Sequence, residues 1–571
     1  MTSRPSEGFV GHYSSLAKDE REMSEHIFIG VAWPYANGPL HLGHLAGALL
    51  PPDIFARYHR LKGNQVLMVS GSDQHGTPIT LRAEREGKSP REVADFYHEQ
   101  FVDNINTIGI SYDLYTKTTT ENHYQVVQDL FLRLLENGYV EKAEMHSPFC
   151  PTCNRFLPDR YVEGTCPHCG FTEARGDQCD NCGKTLDPTD LVMPRCKFHG
   201  TTPEIRPTEH FFLKLSKLND RLLEWVKPKT YWRPNVYNFT MNMLQEGLKD
   251  RPITRDIEWG VPIPLPGYEG KRIYVWFDAV TGYLSASIEW AKLQGEPDKW
   301  KEWWEKPCKA YYFIGKDNIP FHAIIWPAML MGRGGLNLPY DVPANEYLNL
   351  EGRQFSTSRG WAAWLPDMLA QYDPDPIRYM LTINMPETRD TDFSMAEFVR
   401  RNNDELVATY GNLVHRTLTF LQRYLGGRVP EVGTEHRGDE ELIRRIEETF
   451  DTVGDMLAGC HFKDSLKEVM NLAQYGNRYL EEKAPWKLRK ENPDALAATM
   501  YECLRLVDSL KVLTYPYLPH SAEKLHGLLG YTDGILAHGW KPSVPPQGLK
   551  LPEPTPLFTK LELPEEAAEQ R

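Results

Sequence analysis

What the chain lacks narrows it before any motif is read. Across 571 residues no apolar run is long enough to span a bilayer, so no membrane partner is expected. Positive charge is in deficit: 64 Lys and Arg face 78 Asp and Glu, for a net charge of −14. That excludes a general nucleic-acid coat and a DNA partner, and confines any RNA contact to local basic patches and shape. The first 25 residues are polar, carry both charge signs and have no apolar segment of the signal-peptide kind, so a disordered N-terminus of a cytoplasmic protein is expected. There is no internal repeat and no low-complexity domain. The length is enough for two to four domains with a large core.

Cysteine is scarce and concentrated. Seven of the ten fall between Cys150 and Cys196, as Cys-x-x-Cys pairs and a final Cys196-x-x-His199. In a chain read as cytoplasmic, such pairs are thiolates for a metal rather than disulfides. Cys166/Cys169 and Cys179/Cys182, nine residues apart, can close round one tetrahedral Zn²⁺. Cys150/Cys153 would then meet Cys196/His199 if the inner site folds the chain back on itself. The expectation is one or two nested zinc sites, structural because each has four ligands and no open position.

The most informative stretch runs from His26 to Gly63. Ile27 to Trp33 reads as a buried strand, closed by Pro34, Asn37, Gly38 and Pro39, after which His41-Leu42-Gly43-His44 opens a helix. Strand, tight turn and helix start form the opening of a nucleotide-binding α/β half, where backbone N–H groups favour phosphate. His41 and His44 are spaced to face one way, and Gly43 leaves the backbone bare for a phosphate or flat ring. Two histidines capping a helix would be the plainer reading. A second strand, Gln65 to Val69, ends in Ser70-Gly71-Ser72-Asp73-Gln74-His75, where Asp73 could hold a substrate ammonium or only form a turn.

Downstream, Phe211 to Val226 reads as helix, and short strands are expected near Trp259 and from Lys271 to Asp278. The aromatic segments 274–283 and 311–326 are dense enough to be core. They also sit beside strand ends, where a pocket for a polarisable thioether would lie. Residues 349–361 form a small-residue loop, and from about Ala396 the apolar spacing is helical throughout. The Pro-rich, then acidic end is expected to pack back as a strap and fray.

Taken together these stretches resemble the methionyl-tRNA synthetase family of class I aminoacyl-tRNA synthetases over about residues 26–560. His41-Leu42-Gly43-His44 looks like the HIGH signature, and Tyr35-Ala36-Asn37-Gly38 like the methionyl version of its approach. The resemblance implies a Rossmann-like doubly wound parallel sheet with a zinc-knuckle connective insertion, followed by an α-helical anticodon-binding bundle. The expected divisions are the N-terminus 1–25, catalytic halves 26–145 and 206–345, the insertion 146–205, a loop and stem-contact region 346–390, the bundle 391–535 and a tail 536–571. It further implies ATP-dependent formation of methionyl-adenylate and transfer to tRNA(Met), with Mg²⁺ accompanying ATP. Carried over by motif, the methionine site comprises Ala32, Tyr35, Asp73, Trp276, Ala279, Tyr283, His322 and Trp326. Asp73 would take the ammonium, with Tyr35 and His322 closing over the thioether. ATP would lie against Gly38, His41, Gly43 and His44, with Gly315 and Asp317 at the ribose. Asn412, Arg416 and Trp486 would read the CAU anticodon, the Trp standing beside Lys487, Arg489 and Lys490.

One motif departs from the family. The second ATP signature, KMSKS, corresponds to Gln354-Phe355-Ser356-Thr357-Ser358, and both of its lysines are missing. Two rivals follow: a relative that adenylates another amino acid for a different pathway, and a non-catalytic tRNA-binding paralogue. Leucyl, isoleucyl and valyl enzymes are excluded because the span from Thr116 to Pro234 leaves no room for an editing domain beyond the knuckles. Cysteinyl enzymes are excluded because their zinc lies in the amino-acid pocket. A monomer is expected, since the chain ends shortly after the bundle. Arg353, Arg359 or Lys316 is expected to replace the missing charge on the leaving pyrophosphate. A positive group there is worth on the order of 10³-fold in rate, so changing the operative residue to Ala should slow adenylate formation by a comparable factor in a pre-steady-state assay.

Overall fold

A computed structural model describes residues 24–563, apart from 177–178, 180, 183, 185, 356–361 and 434–437. Residues 1–23 of the expected disordered segment, and Ser356, Thr357, Ser358 and Arg359, therefore lie outside the described residues. Ser24 and Glu25 are tied down, with Ser24 Oγ donating to Gly63 O at 2.9 Å and Glu25 N–H to Asn64 Oδ1 at 3.1 Å.

The site is built on a five-stranded parallel sheet. Its strands are β1 (His26–Val31), β2 (Gln65–Ser72) and β3 (Leu114–Lys117). After an antiparallel ribbon of β4 (Val140–Cys150) and β5 (Glu204–Leu213) come β6 (Lys309–Gly315) and β7 (Ala344–Asn345). The order is β7-β6-β1-β2-β3, with Ile29 of β1 opposite both Met68 and Tyr311. β1 and β6 are buried almost end to end, as strands covered by helices on both faces must be. The strand order runs outward in both directions from β1, so a crevice opens beyond the carboxyl ends of β1 and β6.

Glycine makes one close approach possible here. A Cβ on Gly71 of β2 would stand 2.2 Å from Trp33 and 2.4 Å from the Thr116 carbonyl oxygen. The Trp33 ring can lie flat on the strand only because nothing is there.

β4 and β5 pair from Val140–Leu213 to Phe149–Glu204, so both expected edges of the insertion fall inside continuous strands. The helix expected over Phe211–Val226 is corrected accordingly: Phe211 to Leu213 complete β5, and the helix is Asn219–Val226. The strand expected over Lys271–Asp278 is also corrected. Only Arg272–Ile273 is strand, and a helix, Val275–Leu293, begins within the aromatic run. A buried helix is apolar all round and lacks the periodicity that would have distinguished it from a buried strand.

Beyond the sheet, helices account for most of residues 395–528, among them Asn412–Tyr424, Phe462–Lys483 and Pro493–Thr514. The described part of the tail runs back across them, with Val429 N–H donating to Leu549 O at 2.9 Å. Among the described residues no helix is long and apolar enough to cross a membrane.

A buried ion cluster joins these parts. Asp53, on the helix Leu50–Leu61, accepts from Arg57 at 2.9 Å and from Arg378 at 2.6 Å. It also accepts from the Ser111 N–H and hydroxyl. Arg378 also donates to the carbonyls of Tyr517 and Pro516, at 2.7 and 3.1 Å, and to those of Ile108 and Gly109, at 3.3 and 3.4 Å. Burial pushes the Asp53 carboxyl up, but the two guanidiniums and Ser111 outweigh it and hold the group below the usual carboxylate range. A depressed carboxylate contributes stability above its unfolded pKa and loses it as pH falls. Arg378→Met should therefore destabilise the chain by about 3–5 kcal/mol in urea unfolding at pH 7, with a smaller difference in acid.

Candidate active site

The crevice gathers the expected residues from the ends of β1, β2 and β6 and from the helices beside them. After β1 the chain turns through Pro34 to Gly38, and Tyr35 bridges to Asp73 beyond β2. The backbone then starts a helical run at Leu42, with His41 as its N-cap. His41 and His44 cap it reciprocally: His44 N–H donates to His41 Nδ1 at 3.3 Å, and His41 N–H to His44 Nδ1 at 3.2 Å. Both Nδ1 atoms are thus acceptors, which leaves each ring's proton on Nε2 as a donor. The rings stack at 3.7 Å, and a Cβ on Gly43 would meet His41 Nδ1 at 2.9 Å. Burial, then the neighbouring His44, lowers the His41 pKa well below the ordinary value, and burial lowers that of His44 to about 4. At neutral pH the pair is therefore two hydrogen-bond donors, not two cations.

The described part of the loop, residues 349–355, comes to the same place. Phe355 stacks on His41 at 4.9 Å, while on the far flank Leu42 N–H donates to Ala363 O at 3.0 Å and Leu365 N–H to Leu40 O at 2.8 Å. Arg353 and Gln354 form a short strand against Leu350 and Asn349. Lys316, expected as one source of free charge, is already paired: its ammonium lies 2.7 Å from Glu346 and 3.0 Å from Asp390. Burial opposes the charge, but these two carboxylates outweigh it and raise the Lys316 pKa. Asp317 is exposed just past β6 and accepts from the Tyr347 hydroxyl.

The amino-acid pocket lies beside this turn. Asp73 is buried and accepts from His75 N–H at 3.1 Å, and no cation of the described residues meets it. Burial, together with Asp278, raises its pKa well above the ordinary carboxylate value. Trp276, Ala279 and Tyr283 project from the first turns of Val275–Leu293. Tyr283 OH donates to His322 Nε2 at 2.7 Å, because the other imidazole nitrogen donates to Asn318 O at 2.9 Å. Burial lowers the His322 pKa to about 4, keeping it neutral. Trp326 is fully buried behind Tyr283, and Trp276 faces Phe321 at 6.2 Å. Ala32 and Gly315 close the ends of β1 and β6. One group was missed by the sequence reading: Asp278, fully buried between His75 and His123. A carboxylate in so apolar a run was the available signal.

π-helical turns recur at the functional stretches, at Leu45–Leu49, Phe321–Ile325 and Asn402–Gly411. The last leads into Asn412–Tyr424. There Asn412 Nδ2 lies 3.5 Å from Asn477 Oδ1, and Arg416 lies 6.0 Å from the Trp486 ring and 3.6 Å from Glu481. Trp486 is 45% exposed, a large apolar ring left in water beside cations.

Two clusters able to hold a metal form as the spacing predicts. Cys166, Cys169, Cys179 and Cys182 converge, and so do Cys150, Cys153, Cys196 and His199. Sulfurs stand 3.6 Å apart for Cys169–Cys179, 3.9 Å for Cys166–Cys182 and 3.6 Å for Cys153–Cys196. A tetrahedral ion with Zn–S bonds of ~2.3 Å needs sulfurs about 3.8 Å apart, so the donor sets fit. A third group, His526, Asp533 and His538, also converges. There, however, His526 Nε2 already donates to the Asp533 carbonyl at 2.8 Å, so its hydrogen bonding needs no ion.

The comparisons bear on the whole chain. Residues 27–418 match the family described as tRNA synthetases class I (M), and residues 429–570 the anticodon binding domain of methionyl tRNA ligase. A methionine–tRNA ligase of Dehalococcoides mccartyi is 58% identical over 95% of this chain and 98% of its own length. One from Thermomicrobium roseum is 54% identical, covering 95% and 97%. Among solved structures, the methionyl-tRNA synthetase of Mycobacterium tuberculosis bound by methionyl-adenylate superposes with a TM-score of 0.76 at 25% identity, covering 94% of this chain and 100% of that one. The relatives share one activity by name, which leaves the two rival readings unfavoured. Matched in both its sheet domain and its helical bundle, and aligned with its relatives almost end to end, the chain belongs to the methionyl-tRNA synthetase family of class I aminoacyl-tRNA synthetases.

Proposed function

We propose that this crevice activates methionine with Mg·ATP and that the adenylate is passed to tRNA(Met), with roles divided as follows. Asp73 takes the α-ammonium, and the neutral Tyr283–His322 pair, Trp276 and Tyr35 surround the thioether. His41 and His44 donate from Nε2 to the phosphates, and Gly38, Gly43, Gly315 and Asp317 frame the nucleotide. The single observation that carries the reading is Asp73: a buried carboxylate that meets no cation among the described residues is completed by a ligand that brings one. The step needs no covalent enzyme nucleophile. Methionine's carboxylate attacks the α-phosphorus, pyrophosphate leaves, and the tRNA's terminal hydroxyl then displaces AMP from the carbonyl. Positioning and placed charge do the work.

Because the paired histidines are neutral and Lys316 is held by two carboxylates, the charge on the leaving pyrophosphate is assigned to Mg²⁺ with Arg353 or Arg359. The two thiolate clusters are assigned Zn²⁺ in a structural role, which fixes the strands of the knuckle and supplies no chemistry. The same reading has the chain acting as a monomer in the cytoplasm, with Asn412, Arg416 and Trp486 on the anticodon.

The test is amino-acid-dependent exchange of pyrophosphate into ATP, run across all twenty amino acids. Exchange with methionine alone is expected, and Asp73→Asn should raise the methionine KM by on the order of 100-fold while the ATP KM moves little. Exchange with a different amino acid, or an Asp73→Asn variant that binds methionine normally, would overturn the reading. Metal analysis should find two zinc equivalents per chain, falling to one in Cys179→Ser, with tryptic cleavage of the 150–200 region accelerated.

A further inference from the structure

The cluster around Asp278 is unusual in how much it joins. Asp278 lies in the first turn of Val275–Leu293, fully buried, and each carboxylate oxygen accepts from a different imidazole. One is His75 Nδ1 at 2.5 Å, from the turn beyond β2. The other is His123 Nε2, from the first turn of Glu121–Glu136. His75 is held on its other side by Tyr124 OH at 3.2 Å, and His123 by Ser285 Oγ at 2.7 Å. The His75 main-chain N–H donates to Asp73 Oδ1 at 3.1 Å. Asp278 therefore fastens the helix start that carries Trp276, Ala279 and Tyr283 to the turn that carries Asp73.

We propose that Asp278 is a positioning residue of the amino-acid site, acting through His75 to hold the Asp73 carboxylate in the orientation that receives the substrate's ammonium. The inference rests on the role proposed for Asp73. A charge this deeply buried persists only if fully hydrogen-bonded, and its partners here come from two other elements, so the carboxylate fixes three segments at once. It also acts on Asp73 at a distance. Two negative groups share one dry pocket, so the charge on Asp278 adds to burial in making Asp73 harder to ionise in the empty site. Asp278 itself stays ionised: burial pushes its carboxyl up, but His75 and His123 outweigh it and hold the pKa at about 2.

The titratable and charged groups facing this cluster are few. His75 comes from the strand-end turn, and His123 and Tyr124 come from Glu121–Glu136. Glu289 lies further along the helix that carries Asp278, Asp73 lies across the pocket, and Arg91 and Arg272 lie near Tyr124.

Asp278→Asn keeps the shape and removes the charge. In steady-state exchange the methionine KM should rise on the order of 10- to 100-fold, while the ATP KM changes less than about threefold. The acid limb of methionine binding gives a second readout. Asp73 must be ionised to hold an ammonium, so affinity falls as pH drops through its pKa. Removing the neighbouring charge should move that limb to lower pH, a shift that a purely structural defect would not produce. His123→Gln, which keeps an amide donor toward Asp278, should retain most of the methionine affinity and serves as the second variant if Asp278→Asn unfolds. His123→Ala should then raise the methionine KM where His123→Gln does not. If Asp73→Asn abolishes methionine binding but neither Asp278→Asn nor His123→Ala alters the methionine KM or its acid limb, the positioning role is wrong and the assignment of Asp73 survives. If Asp73→Asn has no effect, the assignment on which both rest fails.

Discussion

A single buried carboxylate, Asp53, sets the frame in which everything else is placed. It sits on the helical run that begins at His41, so whatever fixes Asp53 also fixes the stacked histidines. Its partner Arg378 belongs to the helix Pro374–Ile383, and that guanidinium reaches the Pro516 and Tyr517 carbonyls just beyond Pro493–Thr514. The crevice, the connecting region and the bundle thus meet at one ion cluster. Burying such charges is costly and returns little net stability when complete, but losing one partner leaves the others stranded. What the arrangement provides is geometric definition: two distant surfaces that must engage one tRNA are held at a fixed separation.

Electrostatics then divides the labour between protein and substrates. The chain as a whole is acidic, and the centre of its site is neutral or acidic too. Burial discharges His41, His44 and His322, Lys316 is held between two carboxylates, and Asp73 meets no cation among the described residues. A pocket of this kind is incomplete by itself. Under the roles proposed above, methionine's ammonium would answer Asp73 and cations would answer the phosphates, so each substrate would relieve a penalty the empty site carries. Binding should therefore stabilise the fold by more than the contact area alone suggests.

Much of this was legible in the sequence, and the failures share a cause. Strand, turn and His-x-x-His survive as a local pattern because their chemistry is local: two rings cap the same helix turn. The nested knuckles were equally readable, since four pairs with a fixed short spacing admit few pairings. What could not be read depends on contacts between distant segments. Glu346 and Asp390 neutralise Lys316 from 30 and 74 residues away. The run from Tyr274 to Tyr283 has the apolarity of a strand, yet it is a helix buried on all sides, and only the surrounding packing decides between the two. The π turns at Leu45–Leu49 and Phe321–Ile325 left no sequence signal.

The anticodon end gives the same argument from the opposite direction, through features that cost stability and have no internal use. Ala484 sits in the left-handed region with φ +42°, joining Phe462–Lys483 to Pro485–Glu491 without a glycine. A residue with a Cβ in that conformation costs on the order of 1 kcal/mol or more. The turn it makes lifts Trp486 out of the core, close to Arg416. A glycine at 484 would avoid the strain of the turn, and a buried ring at 486 would avoid the exposure. An unstacked base has the flat face and the negative backbone that a tryptophan flanked by Arg416, Lys487 and Arg489 lacks. The same logic connects Ala484 to Asp73: the strained turn and the buried carboxylate each depart from what folding alone would choose.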